Sequence, residues 1–303
     1  MYILGASTEG ESILFIMYGD DQVIYSCITD SFTLEDINIP LAILQKKGLD
    51  HITELFWSHP HEDHSNGLIE LIDNLKPEYV YIPSDLQELP NTVPSTIKNI
   101  LDKINSYPSY DRRYSYQPRI VDIGTNHIIL DKTLSVAGKS IPFLIFTVAP
   151  ATGKVRRDVV TNNYNRLNDF SIVISILVGD FSLLLTGDIQ DQMINYILPD
   201  LEKDIYRPNL LKIPHHGSNG SLDILTLFDQ SSPIDVAVTT AKKTSKLPKL
   251  EALDFYSPHC NRLYQVSAES NGPAIWGIEI DILNATISEI EQVNYTLHTF
   301  TQK

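Results

Sequence analysis

Apolar stretches of strand length recur along the chain, each bounded by turn-forming residues. They cover 12–18, 23–28, 55–58, 79–82, 143–148, 171–178, 182–186, 210–213, 236–239 and 276–282. Between them the apolar spacing turns helical over 37–47, 67–75, 95–104, 191–198, 222–228 and 250–255. The stretches 171–178 and 182–186 are joined only by Gly179-Asp180-Phe181, which predicts a hairpin. Strands and helices mixed along the whole length predict an α/β (α+β) fold, with mixed sheets covered by helices. No Gly/Ser linker or internal repeat divides the chain, so 1–303 reads as one domain. The stretch 149–168 lacks apolar periodicity and reads as a long loop; it holds Lys154, Arg156, Arg157, Arg166 and several asparagines. A loop of that length in a compact domain usually serves function.

Composition narrows the classes. With 303 residues, 43% of them hydrophobic, the chain can bury a full core, which excludes a disordered or fibrous protein. Lys and Arg number 23 against 38 Asp and Glu, a formal charge of -15, so bulk electrostatics cannot coat nucleic acid and any polyanion must be gripped locally. Two cysteines, Cys27 and Cys260, are too few for a disulfide framework and suit a reducing compartment. The first residues carry no basic leader, and no apolar run approaches the roughly 20 residues needed to span a bilayer, so the expectation is a cytoplasmic protein with no membrane partner.

Five of the nine histidines fall in two short clusters. The first is Ser58-His59-Pro60-His61-Glu62-Asp63-His64, between the apolar Leu55-Phe56-Trp57 and the helical pattern from Leu68. His59 and His61 stand two apart in an extended stretch, so their imidazoles project to one side and can share a divalent ion. Asp63 and His64, at the turn into the helix, can offer a carboxylate and an imidazole to a second ion. An apolar strand ends in Thr186-Gly187-Asp188, and another in Ile213-Pro214-His215-His216-Gly217-Ser218. Both place metal-competent groups at the mouth of a sheet, where loops collect functional residues.

His-x-His-x-Asp-His, then a strand ending in Gly-Asp, then a strand ending in His-Gly resembles the metallo-β-lactamase superfamily of hydrolases. Asn168-Asp169-Phe170-Ser171, Leu184-Leu185-Thr186-Gly187-Asp188-Ile189 and Leu211-Lys212-Ile213-Pro214-His215-His216-Gly217-Ser218 look most like the hydrolase domain of the DNA-uptake protein ComEC and its stand-alone relatives. The resemblance spans roughly residues 10 to 285 by motif order. It implies an αββα sandwich with an insertion around 85–135 and two divalent ions, Zn or Mn, at the sheet edges. His59 and His61 would bind one ion and Asp63 and His64 the other, with Asp188 bridging and His216, two residues after Pro214, a further ligand. Asp30 would support the first loop by hydrogen bonding, and His215 would back the metals or touch a phosphate. Many members carry one more histidine ligand before the Gly-Asp strand; here only His127 falls in that interval, outside the expected setting. The late Tyr-x-His-Pro of ComEC-like members is replaced by Lys246-Leu247-Pro248.

Two divalent ions about 3.5–4 Å apart can turn a bridging water into an attacking hydroxide at neutral pH, which makes the implied reaction a hydrolysis. Asp63 would orient or deprotonate that water, and His215 or a lysine would serve the leaving oxygen. Arg156, Arg157 and Arg166, with Asn168, Ser171, Lys243 and Lys246, are candidates to hold a phosphate. The favoured substrate is therefore a phosphodiester, in a nucleic-acid strand or a small cyclic nucleotide, with the acidity of the chain weighing against long duplex DNA. Tyr107, Tyr110, Tyr114 and Tyr116, near Arg112 and Arg113, are candidates for base stacking. The alternatives are a hydrolase of carboxylic or thio esters, lactones or lactams, and a non-catalytic binding module. A homodimer is permitted by the surface composition without being required.

Overall fold

The apolar stretches form strands and the amphipathic ones form helices. The computed structural model describes residues 1–303 apart from 7, 9, 20–21, 87–88, 90–92, 108–115, 162–163, 202–204, 206, 269–271, 285, 294 and 299–303. The stretch containing Tyr110, Arg112, Arg113 and Tyr114 thus lies outside the described residues. The first strands are β1 (Tyr2–Ala6), β2 (Glu11–Gly19), β3 (Gln22–Thr29), β4 (Thr33–Leu34), β5 (Ile37–Asn38), β6 (Glu54–Phe56), β7 (Tyr79–Pro83) and β8 (Arg119–Ile123). They are followed by β9 (Ile128–Val136), β10 (Lys139–Ala149), β11 (Val173–Val178), β12 (Phe181–Leu185), β13 (Leu210–Lys212) and β14 (Ile234–Thr240). The last are β15 (Cys260–Val266), β16 (Pro273–Asp281), β17 (Thr286–Val293) and β18 (Tyr295–His298). The helices are α1 (Ile39–Lys46), α2 (Glu62–Ser65), α3 (Leu68–Leu75), α4 (Ser95–Ser106), α5 (Thr152–Val160), α6 (Asp191–Ile197) and α7 (Leu250–Tyr256).

Two eight-stranded mixed sheets result, ordered β17-β16-β1-β2-β3-β6-β7-β8 and β18-β15-β14-β13-β12-β11-β10-β9. Strands β3, β6, β7 and β8 run parallel in the first, as do β12, β13, β14 and β15 in the second. The alternation of side chains along each strand sorts them into layers. Ile3, Ile13 and Phe56 of the first sheet pack with Ile174, Leu183 and Val236 of the second in an inner core. Their neighbours Leu4, Leu14 and Leu55, and Leu184, Leu211 and Ala237, turn outward to meet the apolar faces of the helices. The order of layers is helix, sheet, sheet, helix, as the resemblance implies.

Some elements depart from the sequence reading. Residues 152–160 form α5 rather than loop, because Val155 and Val159 bury one face while Lys154 bonds the carboxylates of Asp158 and Asp169 (3.0 Å to the latter). Two apolar positions in a cationic stretch are too few to register as periodicity. Residues Leu222–Leu227 wind as a 3-10 turn rather than an α-helix. Strands β1, β8, β9, β15, β17 and β18 escape the apolar search; β9 and β17 are half-exposed and alternate with polar residues. Among the described residues no helix is long and apolar enough to cross a membrane.

One acid lies in the inner core. Glu54, 4% exposed, accepts a hydrogen bond from the Tyr25 hydroxyl, and burial lifts its pKa to about 7. The folded chain keeps this proton to about pH 7, whereas the unfolded chain releases it near the ordinary 4.5, so the native state binds the extra proton across that window. Stability contributed at this site therefore falls by about 3 kcal/mol as pH rises between those values, then stays level. Glu54→Gln removes the dependence. Denaturant unfolding should show the variant gaining on the wild type from pH 5 to pH 8, and a difference that stays flat across that range contradicts the assignment.

Candidate metal centre

The centre lies where the parallel strands β6, β12, β13 and β14 end. After β6 the chain bends at Pro60, where the His61 N–H donates to the His59 carbonyl at 3.0 Å, and the Trp57 indole pins the short α2 by donating to Ser65 Oγ at 2.9 Å. The His59 and His61 rings do meet, His59 Nε2 lying 3.0 Å from His61 Nδ1, but across this bend rather than along the extended stretch that the spacing predicts. α2 then presents Asp63 and His64. From the other sheet, the turn after β12 delivers Asp188 and the turn after β13 delivers His216. Both turns need left-handed backbone: Gly187 has φ 52°, and His215, His216 and Gly217 have φ 47°, 50° and 76°. A Cβ at Gly217 would meet the Pro248 ring at 2.6 Å, so that position is closed to other residues on two counts.

These turns converge. His59, His61 and Asp188 bring one ligand atom each within 4.8 Å of one another, and so do Asp63, His64 and His216. Asp188 links the sets, with Oδ1 3.5 Å from His64 Nε2 and Oδ2 3.5 Å from His216 Nε2. The six side chains that the sequence singles out as ligands are thereby brought together. His127 stands apart: its main chain pairs with Thr147 across β10, and it belongs to neither set.

Hydrogen bonds behind the rings fix what they present. Asp30, at φ 61°, accepts from the Ser58 N–H (2.7 Å) and hydroxyl (2.5 Å) and pairs with His64 Nδ1 at 2.7 Å. The Ser58 hydroxyl has spent its proton on Asp30, so toward His59 Nδ1, 2.9 Å away, it can only accept. His59 therefore carries its proton on Nδ1 and turns a bare Nε2 inward. Asp30 thus takes the supporting position that the resemblance implies, and it governs two histidines rather than one.

The acceptors inside have no donors of their own. Both carboxylate oxygens of Asp188 are fully buried without a hydrogen-bond partner, a costly state unless a cation sits among them. Electrostatics run the same way. Burial pushes the Asp188 carboxyl up, but the imidazoles of His216, His64 and His59 outweigh it and hold the group well below the usual range. Burial likewise opposes charge on Asp63, and His64, His216 and Lys242 reverse it. His59 and His61 are kept neutral chiefly by burial, His61 falling to about 4. His64 is the exception: burial works against its charge, yet Asp188, Asp63 and Asp30 raise it to about 10. A proton on His64 occupies the space between carboxylates that a divalent cation would fill. The donor set of imidazole nitrogen and carboxylate oxygen suits zinc and equally manganese.

At the rim, the structure separates the other candidates. His215, 18% exposed at its side chain, lies 3.9 Å from Asp188 Oδ2 and is flanked by the amides of Asn168 (3.3 Å) and Gln190 (3.0 Å). Ser171 accepts from the Asp188 N–H at 3.2 Å, so it shapes the turn. Arg156 and Arg157 lie exposed on α5, and Arg166 is exposed and bonds Gln192. Lys243 donates to the Ala268 carbonyl at 2.9 Å, and Lys246 is exposed at φ 55°. The lysine at the centre is their neighbour Lys242, whose Nζ lies 2.6 Å from Asp63 Oδ2. Reciprocal backbone bonds between Lys242 and Leu247 close the loop that aims it there. The sequence offers Lys242 only as one of a crowd with Lys243, Lys246 and Lys249 that could steer phosphate, and it leaves Ser58 and Gln190 unmarked because nothing local distinguishes them. Tyr116 donates to the Pro77 carbonyl at 2.8 Å, and Tyr107 packs against the core beside α4.

No protein-family model matches the sequence, and no curated protein matches it. Solved structures are similar in fold. An archaeal metallo-β-lactamase superfamily protein from Sulfolobus tokodaii matches over 61% of this chain and 62% of its own, at 16% identity and a TM-score of 0.30. This chain thus spans under two thirds of that protein's length. Igni18, a metallo hydrolase from Ignicoccus hospitalis, is covered over its full length by 92% of this chain, at 12% identity and a TM-score of 0.44. A diphosphatase of the PhnP family aligns over 90% of this chain and 96% of its own, at 11% identity and a TM-score of 0.36.

Cation uptake must expel the His64 proton wherever that proton is bound. Calorimetric titration of the metal-free protein with zinc, in buffers of different ionisation enthalpy, should therefore register about one proton released per chain at pH 7, with affinity rising about tenfold per pH unit. Uptake without proton release would contradict the charge assigned to His64.

Proposed function

We propose that this chain is a metal-dependent hydrolase whose favoured substrate is a phosphodiester, in a nucleic-acid strand or a small nucleotide. The observation that carries the reading is the Asp188 carboxylate, buried among imidazoles with no hydrogen-bond partner at either oxygen. His59 and His61 would hold one divalent cation, Asp63, His64 and His216 a second, and Asp188 both. Two such cations supply the Lewis acidity that makes water nucleophilic at neutral pH and offset charge on the group attacked.

The residues of the chain supply the rest. Asp63, held ionised, orients the attacking water and takes its proton at a carboxylate oxygen. His215, neutral because burial lowers its pKa and fixed between Asn168 and Gln190, faces the rim where the leaving oxygen departs. Support for an anionic substrate is the Lys242 ammonium, which meets the centre beside Asp63 in a protein that is otherwise strongly acidic. A lysine there attracts and neutralises a phosphate oxygen and does little for an uncharged lactam or ester.

Metal-free protein supplied with manganese or zinc should hydrolyse bis(p-nitrophenyl) phosphate and short oligonucleotides or cyclic nucleotides. Asp188→Asn and His216→Ala should lower turnover by more than about 100-fold. Lys242→Met should weaken phosphodiester turnover about 10- to 100-fold, the worth of one charge-assisted contact, while sparing any lactone hydrolysis. Turnover of a lactam, lactone or thioester alone overturns the phosphodiester reading.

A further inference from the structure

Behind His216 lies a second buried network that no ligand motif includes. Lys212, the last residue of β13, is fully buried, and its ammonium lies 2.8 Å from Glu11 Oε2 and donates to the Ile213 carbonyl at 2.9 Å. Glu11, at the start of β2 in the opposite sheet, is 2% exposed. The same Oε2 accepts a hydrogen bond from the Thr240 hydroxyl at the end of β14. Thr240 Oγ1 in turn lies 2.8 Å from His216 Nδ1, whereas Glu11 Oε2 is 3.6 Å from that nitrogen, too far for a direct bond.

The protons in this chain can be counted. A hydroxyl has one hydrogen, and Thr240 gives it to Glu11. Toward His216 it can only accept, so His216 Nδ1 bears a hydrogen, and in the neutral ring the lone pair is the one on Nε2, 3.3 and 3.5 Å from Asp63 and Asp188. Lys212 is what keeps the carboxylate an acceptor at that depth, since an isolated buried charge is costly. The arrangement repeats, with different residues, what Asp30 and Ser58 do for His59.

We infer that Glu11, Thr240 and Lys212 are positioning residues, a hydroxyl relay that fixes the tautomer and aim of His216 and thereby sets cation affinity at the Asp63–His64–His216 set. The inference rests on the reading of that set as a cation site. A core ion pair kept only for stability would have no need of the hydroxyl, and Thr240→Val would be harmless to the centre.

The test uses the full chain and two readouts: ring nitrogen shifts of His216 in metal-free protein by NMR, and zinc affinity by competition with a chromophoric chelator. Thr240→Val, which removes the hydroxyl and leaves Glu11 paired with Lys212, should abolish the single tautomer and weaken zinc binding about 10- to 100-fold. Thr240→Ser should restore both. Glu11→Leu alone strands the Lys212 charge and risks misfolding, so the second variant is Glu11→Leu with Lys212→Met, an apolar pair that leaves Thr240 no acceptor there and should fold yet show the same loss. Wild-type tautomer and affinity in Thr240→Val or in the double variant overturn the relay, even if stability falls. Should the wild type take up no zinc, the cation reading fails, and the tautomer comparison still decides whether the hydroxyl governs His216.

Discussion

The Asp188 carboxylate is the constraint around which the rest of the centre is arranged. A buried acid with no hydrogen-bond donor is normally selected against or protonated. Here both escapes are closed. The nearest groups are imidazoles, and those of His216 and the cationic His64 hold the acid ionised. Turning a neutral ring's lone pair inward requires a hydroxyl behind it, which requires a carboxylate deeper still. Ser58 with Asp30, and Thr240 with Glu11, are successive answers to one requirement.

Backbone strain is distributed to suit. Asp30, His215 and His216 all sit at positive φ, a conformation costing roughly 1–3 kcal/mol for a residue with a side chain. Each lies at or next to the end of a parallel strand, where the ladder stops and the chain is free to turn. The last backbone bonds anchor those turns: Asp30 donates to the Phe56 carbonyl, His215 to the Gly187 carbonyl, and Lys249 to the Gly217 carbonyl. Packing of Pro248 against Gly217 closes the remaining space. From the antiparallel flank of the first sheet, the Ser12 hydroxyl of β2 also braces the Asp30 turn by donating to the Asp30 carbonyl at 2.9 Å.

What was legible in the sequence divides along the same line. His59 to His64, Gly187-Asp188 and Pro214-His215-His216 are contiguous, and their local geometry follows from strand period and turn chemistry. Most of the strands bearing them are apolar enough to be found. The relays are not local. Glu11 and Thr240 are 229 positions apart, and only the facing of two sheets brings them together. Their trace in sequence is a charge where a buried strand should have none, Glu11 before Ser12-Ile13-Leu14 and Lys212 after Leu210-Leu211. Among four lysines within eight positions, composition cannot say which one faces inward; the turn closed between Lys242 and Leu247 decides. Helix α5 was hidden because ion pairs, not apolar residues, cover much of its inner face.

The groups of the centre divide between the sheets and between halves of the chain, although β16 and β17 return to the first sheet. Asp30, His59, His61, Asp63 and His64 precede the crossing near Gly124 to His127, while Asp188, His215 and His216 follow it. Neither half holds a balanced set. A fragment ending at the crossing would lack Asp188, and its complement would keep Asp188 with His215 and His216 but without His59, His61 and His64. The mouth is thus completed only when both parts of the chain have folded against each other.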